Sequence, residues 1–473
     1  MPLSPDFRPA KAHAALGPDF YDLVVAADFP KHIIRHRNQR WAARVGCADL
    51  TDEEWIAHFG RFEPLPGSFE QPMALRYHGH QFRHYNPDLG DGRGFLFAQL
   101  YDRVDGRLLD LGTKGSGQTP WSRTADGRLT LKGGVREVLA TEMLEALGVN
   151  TSKSFSLIET GEDLVRGDEP SPTRSSVLVR LNHSHIRIGT FQRLRYLQED
   201  ANIGRLLDYA VTTYMPSLWR DDVEARTIAF LEEVCRRVGV MGAQWMLAGF
   251  VHGVLNTDNI NITGESFDYG PWRFLPVLDP RFTAAYFDET GLYAYGAQPD
   301  ALLWNLARLA ECLLPLASQE ALEKALEAFR PAFHETFLGA LLRRLGIVSQ
   351  GDEKDTALAR VIWPFLQKTR MPFERFFFDW YGGPAAAVRA EAGPMASFYA
   401  QEDFAAVRAD LMKRQTAAGA KIDHAYFARP APCTMLIEEV EAIWAPIATA
   451  DDWSLFHAKL AAIDEMAEAY GVR

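Results

Sequence analysis

The stretch HGVLNTDN at residues 252–259, followed by DYG at residues 268–270, is the part of the chain that decides the fold. Asn259 and Asp268 carry oxygen donors, the ligands that Mg²⁺ accepts when it bridges phosphate groups. Asp258, directly before Asn259, supplies a further carboxylate. Turns between helices could also contain these residues, but an ordered set of matches is rarer by chance than one short motif. The stretch therefore predicts a site for a metal ion and a phosphate group.

The same residues follow the protein-kinase pattern H-R-D-x-x-x-x-N with a later D-F-G. His252 and Asn259 take the first and last positions of the first motif, and Asp268 takes the position of the metal-binding aspartate. Val254 stands where kinases carry the catalytic aspartate, and a valine side chain cannot accept a proton. The pattern predicts a kinase-like site that does not run ordinary γ-phosphoryl transfer.

Further residues that suit phosphate binding lie upstream. Gly90 and Gly92 let the backbone approach a ligand closely, and Arg93 can form paired hydrogen bonds to a phosphate. When this turn is taken alone, a surface hairpin with a solvated arginine is the better explanation. Arg180 and Arg187 could hold further phosphate oxygens, and the alternative is two ordinary surface arginines.

A lysine and a glutamate complete the set. Lys114 follows a β-like run and precedes glycines, although the G-x-x-x-x-G-K-[ST] pattern of a P-loop is absent. Glu137 lies beside the apolar face of a predicted helix, where a carboxylate is unfavourable unless it is paired, and Lys114 is the expected partner. A solvated lysine and an exposed glutamate are the alternative. The chain order of these parts is that of a kinase and predicts binding of ATP with Mg²⁺ or Mn²⁺.

Hydrophobic patterning predicts an α+β fold of two lobes, like that of a protein kinase. Strands are predicted at residues 94–100, 107–111, 154–159 and 176–181, and one long helix is predicted from a Thr130 cap to Gly148. From about residue 202 the pattern becomes mostly helical. The predicted domains are an N-terminal extension (1–70), a small β-rich N-lobe with the long helix (71–200) and a larger helical C-lobe with a divergent C-terminal extension (201–473).

Composition excludes several classes of protein. The chain has a formal net charge of −12, which argues against nucleic acid or an anionic membrane as a partner. With 47% hydrophobic residues the chain can bury a large core. No credible transmembrane span or signal peptide is expected, and the four distant cysteines predict neither a zinc site nor disulfides. These features predict a cytoplasmic protein.

Several motifs together resemble the selenoprotein O family of pseudokinases. They cover roughly residues 74–300 and comprise YHGHQF (77–82), the Gly90–Arg93 turn, KGSG (114–117), TPWSR (119–123), DGR (126–128), VRE (135–137), HSHIRIGTF (183–191) and GFVHGVLNTDNINITGESFD (249–268). As a combination, these motifs are highly specific.

The resemblance implies a function. Members of that family bind ATP in a flipped orientation and transfer AMP to Ser, Thr or Tyr hydroxyls of proteins, and the use of UTP is left open. It implies Asp258 as the general base, Asn259 and Asp268 as metal ligands, and Lys114, paired with Glu137, as a phosphate contact. The remaining nucleotide-binding positions that it implies are Gly90, Gly92, Arg93, Asp126, Gly127, Arg180, Arg187 and Asp268.

The chain also departs from the family pattern. Arg83 stands where relatives usually have glycine, and no cysteine occurs at residues 279–288 or near the C-terminus. We therefore expect no redox control through such cysteines, and beyond about residue 400 we find little family signal. A non-catalytic nucleotide-binding scaffold is the main alternative function. A small-molecule kinase ranks lower, because it needs an aspartate at Val254.

Overall fold

The computed structural model describes residues 3–167 and 169–472 and shows a mixed α/β architecture. The strands are β1 (Pro9–Ala10), β2 (Tyr21–Leu23), β3 (Ile33–Arg37), β4 (Met73–Leu75), β5 (Gly79–Gln81), β6 (His84–Asn86), β7 (Leu96–Tyr101), β8 (Leu108–Lys114), β9 (Leu129–Thr130), β10 (Lys153–Leu164), β11 (Thr173–Asn182), β12 (Phe250–Val251) and β13 (Arg273–Phe274).

The helices dominate the second half of the chain. They are α1 (Gln39–Arg44), α2 (Asp52–Phe59), α3 (Leu131–Ala146), α4 (Ile188–Tyr196), α5 (Asp200–Tyr214), α6 (Val223–Ala248), α7 (Gln298–Leu313), α8 (Gln319–Leu326), α9 (Phe329–Leu345), α10 (Asp352–Thr369), α11 (Phe373–Trp380), α12 (Ala387–Ala392), α13 (Ala396–Tyr399), α14 (Ala405–Leu411), α15 (Ile437–Ala450) and α16 (Ser454–Ala469).

The main sheet runs in the order β2-β4-β7-β8-β11-β10-β3, with β1 paired to β7 and β9 paired to β11. Its pairings are antiparallel. Each of the four strands predicted from the sequence overlaps a strand of this sheet, and the predicted change to mostly helical structure after about residue 202 is confirmed.

Three strands of this sheet come from the first 70 residues. β1, β2 and β3 all lie within the predicted N-terminal extension, yet they pair with β7, β4 and β10. Short strands of two to five residues carry too little alternation to be recognised from sequence. Strands from before and after residue 70, where a domain boundary was predicted, thus belong to the same sheet.

Alternation along β11 explains how the sheet presents the site. Val177, Val179 and Leu181 pack into a core on one face, together with α1 and α2, whereas Leu178 packs on the opposite face against α3. Because side chains alternate between faces along a strand, Arg180 lies on the same face as Leu178. β11 thus directs an arginine toward the helical side of the sheet.

The long helix α3 forms as predicted and joins the two parts of the molecule. The side chain of Thr130 caps it by accepting a hydrogen bond from the Gly133 N–H at 3.1 Å. Val135, Val138 and Leu139 are buried in a hydrophobic core that continues into α6, α7 and α16. The helix therefore holds Glu137 at a fixed position between the sheet and the helical region.

The segment between α6 and α7 is mostly irregular. It contains the short pair β12–β13 and a 3₁₀ turn over Thr257–Asn259. The 3₁₀ turn packs against β5 and α4. Farther along, Asp268 reaches the main sheet, where it contacts Lys114 of β8 and Arg180 of β11. Within the described part of the chain, none of the helices is both long enough and apolar enough to cross a membrane.

Candidate active site

Lys114 and Glu137 form a buried ion pair at the centre of the site. Lys114 is the last residue of β8, and its ammonium group donates to Oε1 of Glu137 on α3. The Lys114 Nζ also lies 3.2 Å from Oδ1 of Asp268. The pairing predicted from the sequence is therefore present in the structure.

Asp268 is surrounded by cations. Arg180 Nη1 lies 3.1 Å from its Oδ1, and Arg187 Nη1 lies 3.4 Å from its Oδ2, in addition to Lys114. Burial opposes ionisation of the carboxyl, but these three cations outweigh burial and hold the pKa of Asp268 well below its ordinary value. Three cations thus meet at the Asp268 carboxylate, while Glu137 and Asp91 also pair with Lys114 and Arg187. Grouped lysine and arginine side chains of this kind suit a polyphosphate.

Arg187 is held in place from several sides. Its guanidinium lies 4.3 Å from the ring centre of Tyr77 and 5.0 Å from that of Phe267. Its Nη2 lies 3.3 Å from Oδ1 of Asp91, and its Nη1 donates to the Asp258 carbonyl at 2.9 Å. Sequence reasoning assigned no role to Tyr77 or Asp91. The signals in the sequence were the YHGHQF motif, which begins at Tyr77, and the position of Asp91 between Gly90 and Gly92.

The Asp258 carboxyl is buried, and its pKa lies close to physiological pH. Its Oδ1 has no hydrogen-bond partner among the described residues. Burial raises the pKa of Asp258 to about 7, with a smaller contribution from Asp268 and an opposing one from Arg187. A carboxyl group with these properties suits general-base chemistry at physiological pH.

The loop that carries Asp258 is fixed by the β5–β6 hairpin and by α4. The His80 N–H donates to Thr257 Oγ1 at 2.7 Å, and the Phe82 N–H donates to Asn256 Oδ1 at 3.1 Å. The Thr257 hydroxyl donates to Gln192 Oε1 at 2.5 Å. These bonds set the position of Asp258 through its neighbours. Sequence reasoning did not find them, because they join segments that are distant along the chain.

Asn259 completes the predicted pair of metal ligands. Its Nδ2 donates to the Val254 carbonyl at 3.0 Å, which fixes the orientation of the side-chain amide. Among the described residues, no group of three or more His, Cys, Asp or Glu side chains is arranged to hold a metal ion. An amide oxygen and a carboxylate are nevertheless hard donors that suit Mg²⁺ when phosphates and water supply the other ligands.

The glycine-rich turn packs against a neighbouring loop. A Cβ at Gly90 would lie 2.4 Å from Cγ of Trp121, and one at Gly92 would lie 3.0 Å from the Trp121 carbonyl oxygen. The Arg93 carbonyl accepts a hydrogen bond from Gly115, the residue after Lys114, at 2.6 Å. The exposed Arg93 side chain adds to the positive charge felt by Asp268.

Asp126 and Gly127 lie at the edge of this arrangement. Gly127 has a positive φ of 70°, and its carbonyl accepts from the Gly117 N–H at 3.1 Å. The exposed Asp126 carboxylate pairs with Arg166 at 2.7 Å. The structure therefore joins Lys114, Glu137, Arg180, Arg187, Asp258 and Asp268 through direct contacts, and it shows no such contact for the Asp126 carboxylate within the residues it describes.

Comparison with known proteins identifies the family. A family model described as protein adenylyltransferase SelO matches residues 5–464. The protein nucleotidyltransferase YdiU of Trichodesmium erythraeum is 47% identical over 386 residues, which is 80% of each chain. Proteins of the same name from Trichormus variabilis and Gloeobacter violaceus are 42% and 43% identical over 462 and 468 residues, covering 94% and 96% of this chain and 93% of each relative.

These matches extend beyond the motifs recognised in the sequence. The region after residue 400, where we found little family signal, belongs to the matched part of the chain as far as residue 464. This region contains α14, α15, α16 and irregular segments. Helical periodicity alone does not identify a family, so single-sequence reasoning had little to detect there. The chain belongs to the SelO family of protein adenylyltransferases.

Proposed function

We propose that this protein transfers AMP from ATP to Ser, Thr or Tyr hydroxyls of other proteins and releases pyrophosphate, with UTP as a second candidate nucleotide. The observation that carries the proposal is the position of Asp258, a buried carboxyl with a pKa of about 7, beside the cation cluster around Asp268. Family membership and the names of the relatives support the same activity.

In this proposal the cations bind the phosphates of the nucleotide. Lys114, Arg180 and Arg187 neutralise phosphate charge, and Glu137 keeps Lys114 in place. The Gly90–Arg93 turn and the Asp126–Gly127 loop would complete the nucleotide site. In the same proposal this site lies between two lobes arranged as in a protein kinase, with the N-lobe at residues 71–200 and the C-lobe from residue 201.

Asn259 and Asp268 would hold Mg²⁺ or Mn²⁺ when the nucleotide binds. The ion would neutralise phosphate charge and orient the triphosphate. Because Asp268 is already paired with three cations, nucleotide binding would move those cations onto the phosphates and free the carboxylate.

Asp258 takes the proton from the acceptor hydroxyl. The hydroxyl oxygen then forms a bond to the α-phosphorus, and the bond between that phosphorus and the pyrophosphate oxygen breaks. The pyrophosphate leaves with its negative charge facing Lys114 and the two arginines. Positioning and charge neutralisation provide most of the rate enhancement in such a transfer. Val254 in place of the kinase aspartate fits this arrangement, since the base is supplied by Asp258 instead.

Labelling with ATP carrying ³²P at the α or the γ position tests the proposal. We expect label from α-³²P-ATP on protein in a lysate, label from γ-³²P-ATP no higher than in the lysate alone, and loss of the α label in Asp258→Asn. Absence of protein-bound label, or equal labelling by Asp258→Asn, contradicts the proposal.

A non-catalytic nucleotide-binding scaffold is the second candidate. It is favoured by the three cations that already saturate Asp268. It predicts ATP-dependent thermal stabilisation without pyrophosphate release, so measurable pyrophosphate release excludes it.

Protein and nucleotide are the partners in this proposal, and the net charge of −12 is our reason for leaving out nucleic acid and anionic membranes. A cytoplasmic location remains a prediction from the cysteine pattern. All four cysteines are buried free thiols.

A further inference from the structure

The tip of the β5–β6 hairpin has a strained backbone. Its two central residues, Phe82 and Arg83, have positive φ angles of 48° and 65°. Such a two-residue turn normally contains glycine, asparagine or aspartate, because a Cβ is unfavourable in the left-handed region. Backbone strain of this kind clusters at active sites and binding sites.

The side chain of Phe82 belongs to an aromatic cluster. Its ring centre lies 4.9 Å from that of Tyr293 and 5.7 Å from that of Phe287. Phe287 is 47% exposed, and its neighbour Tyr286 is 87% exposed. The adjacent side chains of Tyr286 and Phe287 are therefore exposed to solvent, while Phe82 and Tyr293 pack beneath them.

This aromatic surface is tied to the loop of Asp258. Asn256 Oδ1 accepts hydrogen bonds from the Phe82 N–H at 3.1 Å and from the Tyr293 hydroxyl at 2.9 Å. Asn256 lies two residues before Asp258. A polypeptide bound over the aromatic surface would thus lie next to the proposed base.

Arg83 adds a positive charge to the same surface. Its side chain is exposed and lies 5.6 Å from the ring centre of Trp304. It forms no ion pair within the described residues. Asp288 forms no ion pair with it among the described residues; that carboxylate is buried and accepts the N–H groups of Leu292 and Tyr293. Arg83 is therefore an exposed, unpaired cation beside the exposed aromatic pair.

We propose that Arg83, Tyr286, Phe287 and Trp304 form an acceptor surface that docks the polypeptide to be modified. The fitting segment carries an acidic residue for Arg83 and a large apolar side chain for the aromatic pair, both close to its reactive hydroxyl. This inference rests on the proposed function and specifies the class of its acceptor.

Binding of short peptides tests the surface separately from catalysis. The probes are fluorescein-labelled peptides with one central tyrosine beside leucine, flanked by glutamates in one set and by lysines in the other. Anisotropy is measured with a non-hydrolysable ATP analogue, and AMP transfer is measured in parallel with α-³²P-ATP. We expect the glutamate peptides to bind at least threefold more tightly, as one exposed charge pair provides.

The decisive variant is Arg83→Gly, which removes the charge and relieves the strain. Arg370→Gly is the matched control, because Arg370 is also exposed, lies outside the site and has a positive φ of 53°. We expect both variants to melt at or above the parent temperature, and only Arg83→Gly to lose the preference for glutamate peptides. The double variant Tyr286→Ala/Phe287→Ala should weaken binding of both peptide sets about tenfold.

The outcomes separate the two proposals. Equal binding of both peptide sets by the parent protein, or an unchanged preference in Arg83→Gly, overturns the acceptor surface. Selective binding without AMP transfer to any peptide or lysate protein supports the surface and removes the transferase activity. AMP transfer that ignores peptide charge supports the transferase and removes the surface.

Discussion

The backbone of Gly79 lies directly against the carboxylate of Asp258. A Cβ at Gly79 would lie 2.8 Å from Oδ1 and 3.2 Å from Cγ of that aspartate. Gly79 does not have a left-handed backbone conformation, so the glycine is needed for space and not for its conformational freedom. β5 therefore limits where the proposed base can sit.

Gly79→Ala should impair transfer without unfolding the protein. The added methyl group must displace the Asp258 carboxylate, and a shift of about 1 Å in a catalytic group reduces turnover by about 10²-fold. AMP incorporation from α-³²P-ATP measures the loss, and the melting temperature reports on the fold. Gly339→Ala is the control, because a Cβ there meets nothing within 4 Å. Full activity of Gly79→Ala would show that the carboxylate is not confined by β5.

The pair Lys114–Glu137 should respond asymmetrically to removal of either partner. Lys114→Met leaves Glu137 buried without a cation, whereas Glu137→Leu leaves Lys114 with Asp268 at 3.2 Å. We expect Lys114→Met to lower the free energy of unfolding by about 3 kcal/mol or more, and Glu137→Leu to lower it less.

Urea denaturation measures both variants and the double variant. The double variant should lose less stability than the sum of the single ones, since it buries no unpaired charge. Lys368→Met is the control, because Lys368 is exposed and pairs with Asp403 only at the surface; it should change stability by less than about 0.5 kcal/mol. If Glu137→Leu lowers the free energy of unfolding as much as Lys114→Met does, or more, the result contradicts the geometry of the pair.

How much of this could be predicted differs between the fold and the site. The four central strands and α3 were predictable because each contains a recognisable pattern of apolar residues. Glu137 could be predicted to form an ion pair because it lies beside the apolar face of its helix. β1, β2 and β3 were not predictable as parts of the sheet, because strands of two to five residues have no period to detect. Short-range patterns are visible in one sequence, but pairings between distant short segments are not.

The same limit applies to the site. Asp258, Asn259 and Asp268 lie close together in the sequence, so a motif could indicate them. The contact of Arg187 with Tyr77 and Asp91 depends on how the 77–91 segment folds back on α4, and no local pattern encodes it. Asp126 illustrates the opposite case, since its motif was found but its carboxylate pairs with Arg166.

Asp91 should act by positioning Arg187. One carboxylate oxygen accepts the Leu75 N–H at 3.0 Å and the other faces Arg187 at 3.3 Å. Asp91→Asn keeps the size and the acceptor for Leu75 but removes the charge that holds the guanidinium. We expect KM for ATP to rise about tenfold with a smaller change in kcat, as loss of a charged hydrogen bond predicts. The exposed Asp88→Asn in the same turn is the control, and an unchanged KM in Asp91→Asn would remove this role.

Asp268→Asn should make the thermal stability of the protein depend on bound anions. The change leaves Lys114, Arg180 and Arg187 close together without the carboxylate between them, so the melting temperature should fall. Added pyrophosphate should raise the melting temperature of the variant more than that of the parent, because the anion replaces the lost charge. Asp52→Asn, at an exposed carboxylate, is the control. Equal shifts in variant and parent would show that the cluster does not accept pyrophosphate.

His13 should make the fold sensitive to acid. Burial lowers the pKa of His13 to about 4 from its ordinary value of 6.5, while Asp110 opposes this shift and His185 adds to it. Both ring nitrogens are buried without a hydrogen-bond partner among the described residues. Because the folded-state pKa is the lower one, the unfolded chain binds the proton first as the pH falls. The stability linked to neutral His13 is therefore complete above pH 6.5 and is lost between pH 6.5 and 4, with a limit of about 3 kcal/mol.

His13→Phe removes this titration and keeps an aromatic ring between Tyr21 and Tyr209, whose ring centres lie 6.1 Å and 5.8 Å away. We expect the variant to resemble the parent at pH 8 and to unfold at a higher urea concentration than the parent at pH 5. The control is His457→Phe, because His457 is exposed and its replacement should leave the pH dependence unchanged. A parent and a His13→Phe variant that lose stability equally between pH 8 and pH 5 would show that His13 does not take up a proton on unfolding.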